Sequence, residues 1–255
     1  MPNTLAHLGI QTLVARAILK SADVKWIWAG CVIPDLPWIL QRAVRALAPG
    51  VPVYDLRLYA ITQSALALCL VLCAALACFS ARPYRVFAIL ASGSLMHLLL
   101  DAMQTKWANG VHLFAPASWD LLNFGLFWPE DPQTWALTGF GLVAAIYAWA
   151  RLPKEADDLR RPRGAALLAA PALFALYFAA PLALMEGAAA ADNHFVTTLR
   201  DVAARPDRRV AFDRNRIQRA EDGDRLIAWT GESFALEATP PGVLPEESAT
   251  VSIKG

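Results

Sequence analysis

Charged residues are scarce in this chain, and neither sign of charge is in clear excess. Only 18% of the 255 residues are Asp, Glu, Lys or Arg, and the formal net charge is +1. Proteins that bind nucleic acids usually carry a strong basic excess, which is missing here. We therefore expect no nucleic-acid partner.

Cysteines are few, and none of them forms the CxxC pair that is typical of thiolate zinc sites. Each of the four, Cys31, Cys69, Cys73 and Cys78, lies in an apolar segment. This placement argues against a disulfide framework and indicates small hydrophobic side chains. The N-terminal segment also lacks a basic start and a small-residue cleavage site, so we expect no signal peptide.

Apolar sequence is abundant instead. Hydrophobic residues make up 56% of the chain, more than is usual for a soluble globular domain, and the mean hydropathy is +0.38. Long apolar runs predict membrane helices at 65–79, 84–102, 134–150 and 164–185. The expected fold class is mainly α, a polytopic helical membrane bundle.

The C-terminal part of the chain has a different character, because charges become frequent and short strand-like runs appear. These runs are RRVAF, DRLIAWTG, SFALEAT and ATVSIKG, with turn-forming residues between them. We predict a membrane-embedded domain over 1–186 and a small β-rich extramembrane domain over 187–255. His194 is expected to be an exposed polar residue of this second domain.

The distribution of basic residues predicts an orientation in the membrane. The loops 80–85 and 151–163 are basic, whereas Lys106 is the only Lys or Arg in 103–133. By the positive-inside rule the basic loops are cytoplasmic, which places 103–133 and the C-terminal domain outside the cytoplasm. Three arginines would then also lie outside, which counts against this orientation: Arg42, Arg45 and Arg57.

The stretch Ser94–Pro116 contains the pair of residues most typical of a functional site, His97 and Asp101. On a helix their i, i+4 spacing places both side chains on one face, with Cβ atoms about 5–6 Å apart. Such a pair can bind one metal ion, or the carboxylate can orient the imidazole. A hydrogen-bonded helix pair is the alternative, although charged groups in apolar surroundings are costly and favour a function.

A second acidic residue, Asp35, lies between Pro34 and Pro37 in an apolar run. The prolines interrupt helical hydrogen bonding, and irregular backbone at membrane depth needs protein or a water-filled cavity around it. Asp35 is therefore predicted to face an internal polar site or to lie in an interfacial turn. His7, taken alone, is typical of an interfacial polar residue.

In their order along the chain, His7, the IPDLPW turn and SLMHLLLDAMQTKWANGVHLFAPASW resemble one family, the membrane-bound predicted metal-dependent hydrolases. This family is typified by a LexA-regulated bacterial inner-membrane protein, and the resemblance covers about residues 1–130. It implies a bacterial inner-membrane, multi-pass protein. The tail 192–255 lies outside the resemblance, and its expected place in the periplasm follows from the positive-inside rule.

The resemblance also implies a metal site of four residues, His7, Asp35, His97 and Asp101, with His97 and Asp101 catalytic. Two imidazoles and two carboxylates suit a divalent ion, zinc first and manganese or iron as alternatives. One departure concerns an HR-x-x-THS stretch of the family, which corresponds to RLYAITQS here, with Gln63 in place of an imidazole. His112 is either the missing imidazole or a loop residue, and we favour the loop residue.

Two functions follow as hypotheses. The first is a membrane-bound metal-dependent hydrolase that acts on an amphiphilic or lipid-like ester or phosphoester at the outer face of the membrane. The second, motivated by Gln63, is a catalytically diverged membrane scaffold that presents its C-terminal domain for binding. A transporter is disfavoured, because the predicted spans are few and no internal symmetry is visible.

Overall fold

The computed structural model is mainly helical and ends in a small antiparallel sheet. It describes residues 4–18, 21–151, 159–219, 223–236 and 249–254. The helices of this part of the chain are α1 (Thr4–Ile18), α2 (Val24–Val32), α3 (Leu36–Leu47), α4 (Val53–Gln63), α5 (Leu66–Ala77), α6 (Pro83–Met103), α7 (Pro132–Arg151), α8 (Ala165–Ala190) and α9 (Val196–Arg200). The strands are β1 (Ala211–Gln218), β2 (Arg225–Ile227), β3 (Ser233–Ala235) and β4 (Thr250–Lys254), in the spatial order β3-β2-β1-β4.

All four segments predicted as membrane helices are helical, but they differ in length and hydropathy. In the described residues, α6 and α8 are long and apolar enough to cross a membrane. The helix predicted over 65–79 is shorter in the structure, where α5 covers Leu66–Ala77. Helix α5 follows α4 at a bend of 68°, and the two together amount to one broken span at most. Within the described ranges the candidate spans therefore number two, or three with the bent pair, and a bundle of four spans stays a prediction.

Helix α8 presents apolar side chains on its outer surface. Leu168 is 77% exposed, and Leu167 and Leu182 are each 61% exposed. Large apolar groups exposed along a helix of 26 residues match contact with lipid better than contact with water. This surface is compatible with a membrane protein.

The helical core lies between α2, α5, α6 and α8, and close packing of α2 on α6 fixes its geometry. The Cβ of a side chain at Gly30 would lie 2.6 Å from the carbonyl oxygen of Leu90, and one at Gly93 would lie 3.2 Å from the backbone of Gly30. Ser94 Oγ donates to the carbonyl oxygen of Gly30 at 3.0 Å in the same contact. Small residues thus let α2 approach α6, a kind of contact that is common between closely packed membrane helices.

The N-terminal residues fold as short helices rather than as one span. A 3₁₀ turn, Ile33–Asp35, separates α2 from α3, in agreement with the break that Pro34 predicts. Gly9 of α1 contacts Gly141 of α7 so closely that a Cβ on either glycine would collide with the other helix. Residues near the start of α1 and in the 3₁₀ turn lie beside the same part of α6, since His7 contacts Asp101 and Asp35 contacts His97.

The predicted β-rich segment is confirmed, and α9 and the turn between β2 and β3 join the part of the chain after α8 to α3 and α4. Tyr54 Oη donates to the carbonyl oxygen of Leu199 at 2.8 Å, and Arg45 Nη1 donates to that of Trp229 at 2.9 Å. Helix α8 continues past residue 186 to Ala190, so the division of the chain at 186 stays a prediction.

The loop between α6 and α7 contacts the part of the chain after α8, which we call the C-terminal part; its described residues are 191–219, 223–236 and 249–254. Asn193 Nδ2 donates to the carbonyl oxygen of Trp119 at 3.1 Å, and Arg214 Nε lies 3.4 Å from Glu130 Oε1. The basic loop 151–163, on which the predicted orientation depends, lies largely outside the described residues.

Candidate metal centre

Side chains from two helices converge near the C-terminal end of α6. His7 Nε2 lies 3.4 Å from Asp101 Oδ1, and His97 Nε2 lies 3.7 Å from Asp101 Oδ2. The rings of His7 and His97 stack with their centroids 4.1 Å apart. One potential ligand atom from each of the three residues lies within 4.8 Å of the others, so the group could hold a metal ion.

Asp35 reaches the same place from the 3₁₀ turn after α2. Its Oδ1 lies 3.6 Å from His97 Nε2, and only 9% of the residue is exposed. Of the two interpretations left open by the sequence, the internal polar site is the one found. The structure thus brings His7, Asp35, His97 and Asp101 together, and we call these four residues the His/Asp cluster.

The ligand atoms of the His/Asp cluster lack hydrogen-bond partners. Within the cluster, five buried atoms have no hydrogen-bond partner in the described part of the chain: His7 Nδ1, His7 Nε2, His97 Nε2, Asp35 Oδ1 and Asp101 Oδ1. Buried polar atoms without partners are costly and rare.

The spacing of these atoms fits a small divalent ion. Three distances between an imidazole nitrogen and a carboxylate oxygen of the cluster are 3.4, 3.6 and 3.7 Å. Two ligands of a tetrahedral zinc ion, with bonds of about 2.0–2.1 Å, lie about 3.3 Å apart. Imidazole nitrogens and carboxylate oxygens therefore fit zinc, and manganese or iron are also suitable by ligand type.

Neighbouring side chains hold the imidazoles in place. His97 Nδ1 lies 3.9 Å from Cys31 Sγ, which leaves Nε2 directed at the carboxylates. Gln11 lies one helical turn after His7, and in the amide orientation that satisfies both groups it donates to the Gly93 carbonyl at 3.2 Å and accepts from the His97 N–H at 3.3 Å. These contacts tie α1 and α2 to α6 beside the cluster.

Lys106 is a candidate that the sequence did not single out. Its Nζ lies 3.8 Å from Asp101 Oδ2, and the residue is only 8% exposed. A buried lysine is unusual unless its charge is paired, so its place beside the cluster is notable. Its isolation as the only Lys or Arg of the loop 103–133 is the signal that the sequence offered.

A cavity of about 580 Å³ opens beside the carboxylates of the cluster. Asp35 and Asp101 line it together with Trp229, in the turn between β2 and β3, and Thr250 of β4. Basic side chains make up much of the remaining wall: Arg42, Arg45, Arg57, Lys106 and Arg214. The volume is within the range of small-molecule sites, so a ligand can reach the cluster.

The other two histidines form a separate buried pair. The ring of His112 stacks on that of His194 at 5.9 Å, and Arg57 Nη2 lies 3.0 Å from His194 Nδ1. The prediction that His194 is exposed is wrong, because the C-terminal part packs on α3 and α4 and leaves the residue 4% exposed. His112 is a loop residue, as favoured, and it pairs with His194 rather than with the cluster.

Both members of this second pair are neutral near pH 7. Burial lowers the pKa of His112 to about 4, and the charge of Arg57 opposes its protonation further. Burial and the neighbouring Arg57 likewise hold the pKa of His194 well below its usual value. His194 Nδ1 can then accept a hydrogen bond from Arg57.

Gln63 contacts α8. Its Nε2 donates to the carbonyl oxygen of Tyr177 at 3.4 Å and to Tyr59 Oη at 3.3 Å. The adjacent Ser64 lines the cavity. The departure from the family pattern therefore leaves the His/Asp cluster intact.

Comparison of the chain with protein-family models, with curated proteins and with solved structures finds no match. The resemblance deduced from the order of motifs stays a prediction. A functional proposal must therefore rest on the geometry of the site.

Proposed function

We propose that this protein is a membrane-bound metal-dependent hydrolase whose reaction centre is the His/Asp cluster. One observation carries the proposal: His7, His97 and Asp101 meet in a buried group with unpaired ligand atoms, beside a cavity of about 580 Å³. Zinc is the favoured ion, with manganese or iron as alternatives.

Each residue of the cluster has a defined part in this proposal. His7 and His97 would bind the ion through Nε2, and Asp35 and Asp101 would supply oxygen ligands. The chemistry that such an ion brings to hydrolases is a lower pKa for coordinated water and a polarised phosphoryl or acyl oxygen. Asp101 contacts both imidazoles and lines the cavity, so one oxygen of its carboxylate would bind the ion while the other could orient an attacking water and accept its proton.

The position of the cluster supports an amphiphilic or lipid-like ester or phosphoester as the substrate. Asp101 lies within one turn of the end of α6, a helix long and apolar enough to cross a membrane. A site at the end of a span lies at the level of the lipid headgroups. We place it at the outer face of a bacterial inner membrane, with the C-terminal sheet in the periplasm.

Substitution of the two residues on α6 tests the proposal. Asp101→Asn keeps the shape of the side chain but removes its charge, so zinc affinity and hydrolysis should fall on the order of 10–100-fold. His97→Gln should have a similar effect. Because both act on one centre, the double variant should lose much less free energy of binding than the sum of the single losses.

Bound zinc per chain, measured at fixed free zinc, and hydrolysis of soluble phosphoesters and carboxyl esters are the readouts. Asp207→Asn is the matched control, since Asp207 is exposed and has φ 63°, a conformation that Asn tolerates. Equal zinc binding by Asp101→Asn and Asp207→Asn, or fully additive losses, would contradict a shared metal centre. Such a result would favour the diverged scaffold.

A further inference from the structure

We propose that the arginine-rich wall of the cavity binds a phosphate group, so that the substrate of this site is a phosphate ester and not a carboxyl ester. The inference rests on the proposed hydrolase function and names its substrate class. The basic wall, as we use the term, consists of Arg42, Arg45, Arg57 and Lys106.

The basic wall carries positive charge that its surroundings leave unbalanced. Lys106 pairs with Asp101, but within the described ranges Arg42, Arg45 and Arg57 form no ion pair with a carboxylate. The charges of Arg42 and Arg45 act unfavourably on Arg57, and Asp213, which also lines the cavity, offsets this with a smaller favourable effect. Like charges gathered around a cavity are stabilised by an anion between them.

Arg57 is held rigidly, and its Nε–H remains as a further hydrogen-bond donor. Its guanidinium lies between two indole rings, 4.8 Å from the centroid of Trp38 and 4.9 Å from that of Trp229. Nη2 contacts His194, while Nε is buried and unpaired in the part of the chain that the structure describes. A guanidinium fixed in this way loses little conformational entropy when it binds an anion.

The cavity connects the basic wall to the His/Asp cluster. Asp35 and Asp101 line the same space of about 580 Å³ as the arginines. A phosphoryl group bound there has its charge matched by guanidinium groups while its ester bond faces the cluster. A carboxyl ester is uncharged and would leave the arginines unpaired, so the charge of the wall selects the phosphate ester.

The turn between β2 and β3 takes part in this site. Its Trp229 covers one face of Arg57, and the carbonyl oxygen of Trp229 accepts a hydrogen bond from Arg45 at 2.9 Å. This turn thus holds two arginines of the basic wall in position. The phosphate site is therefore built jointly by the helices and by the C-terminal part.

Phosphate binding by the full chain in detergent tests the inference. Calorimetric titration with inorganic phosphate and with glycerol phosphate would be done on both metal-free and zinc-loaded protein. Arg42→Gln and Lys106→Gln should each weaken binding about 10-fold to 100-fold, the usual effect of losing a charge-assisted contact. Arg42 is exposed, so its replacement leaves the core unchanged.

Arg208→Gln is the matched control, because Arg208 is an exposed arginine of the C-terminal part away from the cavity lining. It should change the affinity by less than about twofold. If Arg42→Gln and Arg208→Gln bind phosphate equally well, or if wild-type protein binds none in either metal state, the inference is wrong. The metal-free titration does not depend on zinc, so failure of the hydrolase proposal would be seen separately.

A second measurement identifies the source of the phosphate. Nanodiscs of phosphatidylcholine with and without phosphatidic acid would compete with glycerol phosphate in the same titration. Competition that depends on phosphatidic acid and on Arg42 identifies a lipid headgroup. Binding of glycerol phosphate without such competition identifies a water-soluble phosphate ester.

Discussion

All four histidines of the chain are buried in two stacked pairs, and charges of opposite sign surround the pairs. His7 and His97 stack within the His/Asp cluster, where two carboxylates favour a cation. His112 and His194 stack beside Arg57, which disfavours protonation. The same side chain is therefore suited to metal binding in one pair and to a neutral, packed role in the other.

The second pair predicts a loss of stability in mild acid. The pKa of His112 is about 4 in the folded protein, whereas an unfolded chain has a histidine pKa near 6.5 and binds the proton first. The stabilisation is thus fully present above about pH 6.5 and is lost as the pH falls towards 4, by up to about 3 kcal/mol. Thermal unfolding in detergent over this pH range measures the effect.

The variant His112→Gln isolates the contribution of this ring. The variant loses the same packing contacts at every pH, whereas the loss of stability linked to protonation of His112 occurs only in wild type. The difference in stability between the two proteins should therefore shrink as the pH falls towards 4. A constant difference between the two proteins over the whole range would show that His112 is not the titrating group.

Among the elements, the contact between α2 and α6 determines the position of Asp35. Gly30 and Gly93 let the two backbones meet, and the 3₁₀ turn that carries Asp35 follows α2 directly. Cys31, the residue next to Gly30, faces His97. The geometry of the His/Asp cluster therefore depends on the contact between α2 and α6 at Gly30 and Gly93, although neither glycine belongs to the cluster.

Gly30→Ala should disturb this contact. The added Cβ would lie 2.6 Å from the carbonyl oxygen of Leu90, so α2 must move away from α6. We expect a loss of stability of about 1–3 kcal/mol from overpacking and weaker zinc binding, since Asp35 moves with α2. Melting temperature and zinc affinity are the measurements.

The control is Gly139→Ala on α7, where nothing lies within 4 Å of the added Cβ. Alanine is the better helix former, so this change should be neutral or stabilising by up to about 1 kcal/mol. Equal losses in both variants would mean that the effect is not one of close packing.

For the whole molecule, contacts between the loop 104–131 and the C-terminal part require both to lie on one side of any membrane that α6 crosses. Asn193 contacts Trp119, and Arg214 contacts Glu130. The N-terminal end of α6 lies in the basic loop 80–85, which is predicted to be cytoplasmic. The two ends of this helix should therefore differ in accessibility.

Labelling of single new cysteines with a membrane-impermeant maleimide tests this arrangement. Ala117→Cys in the loop and Arg208→Cys in the C-terminal part should react in cells with an opened outer membrane, because both positions are exposed. Tyr84→Cys, at a position that is 90% exposed at the start of α6, should react only after the inner membrane is permeabilised. Wild-type protein gives the background of the native cysteines.

Reaction of Tyr84→Cys alone, in cells with only the outer membrane opened, would reverse the predicted orientation. Reaction of all three variants in these cells would show that α6 does not cross the membrane. Different results for Ala117→Cys and Arg208→Cys would contradict the contact between the loop and the C-terminal part.

The sequence by itself determined the features that depend on neighbouring residues. Apolar runs predicted the positions of α5 to α8, and Pro34 predicted the break before Asp35. The i, i+4 spacing predicted that His97 and Asp101 share a helix face. Helical periodicity and the geometry of proline are local properties, so these predictions needed no knowledge of packing.

Only the tertiary structure decided which distant residues meet. His7 and Asp35 reach His97 because small residues let α2 approach α6 and because the N-terminal helices are short. His194 is buried, and Arg57 is enclosed, because the C-terminal part packs on α3 and α4. These contacts join residues far apart in the chain, and their geometry comes from helix packing, on which local sequence patterns carry no information.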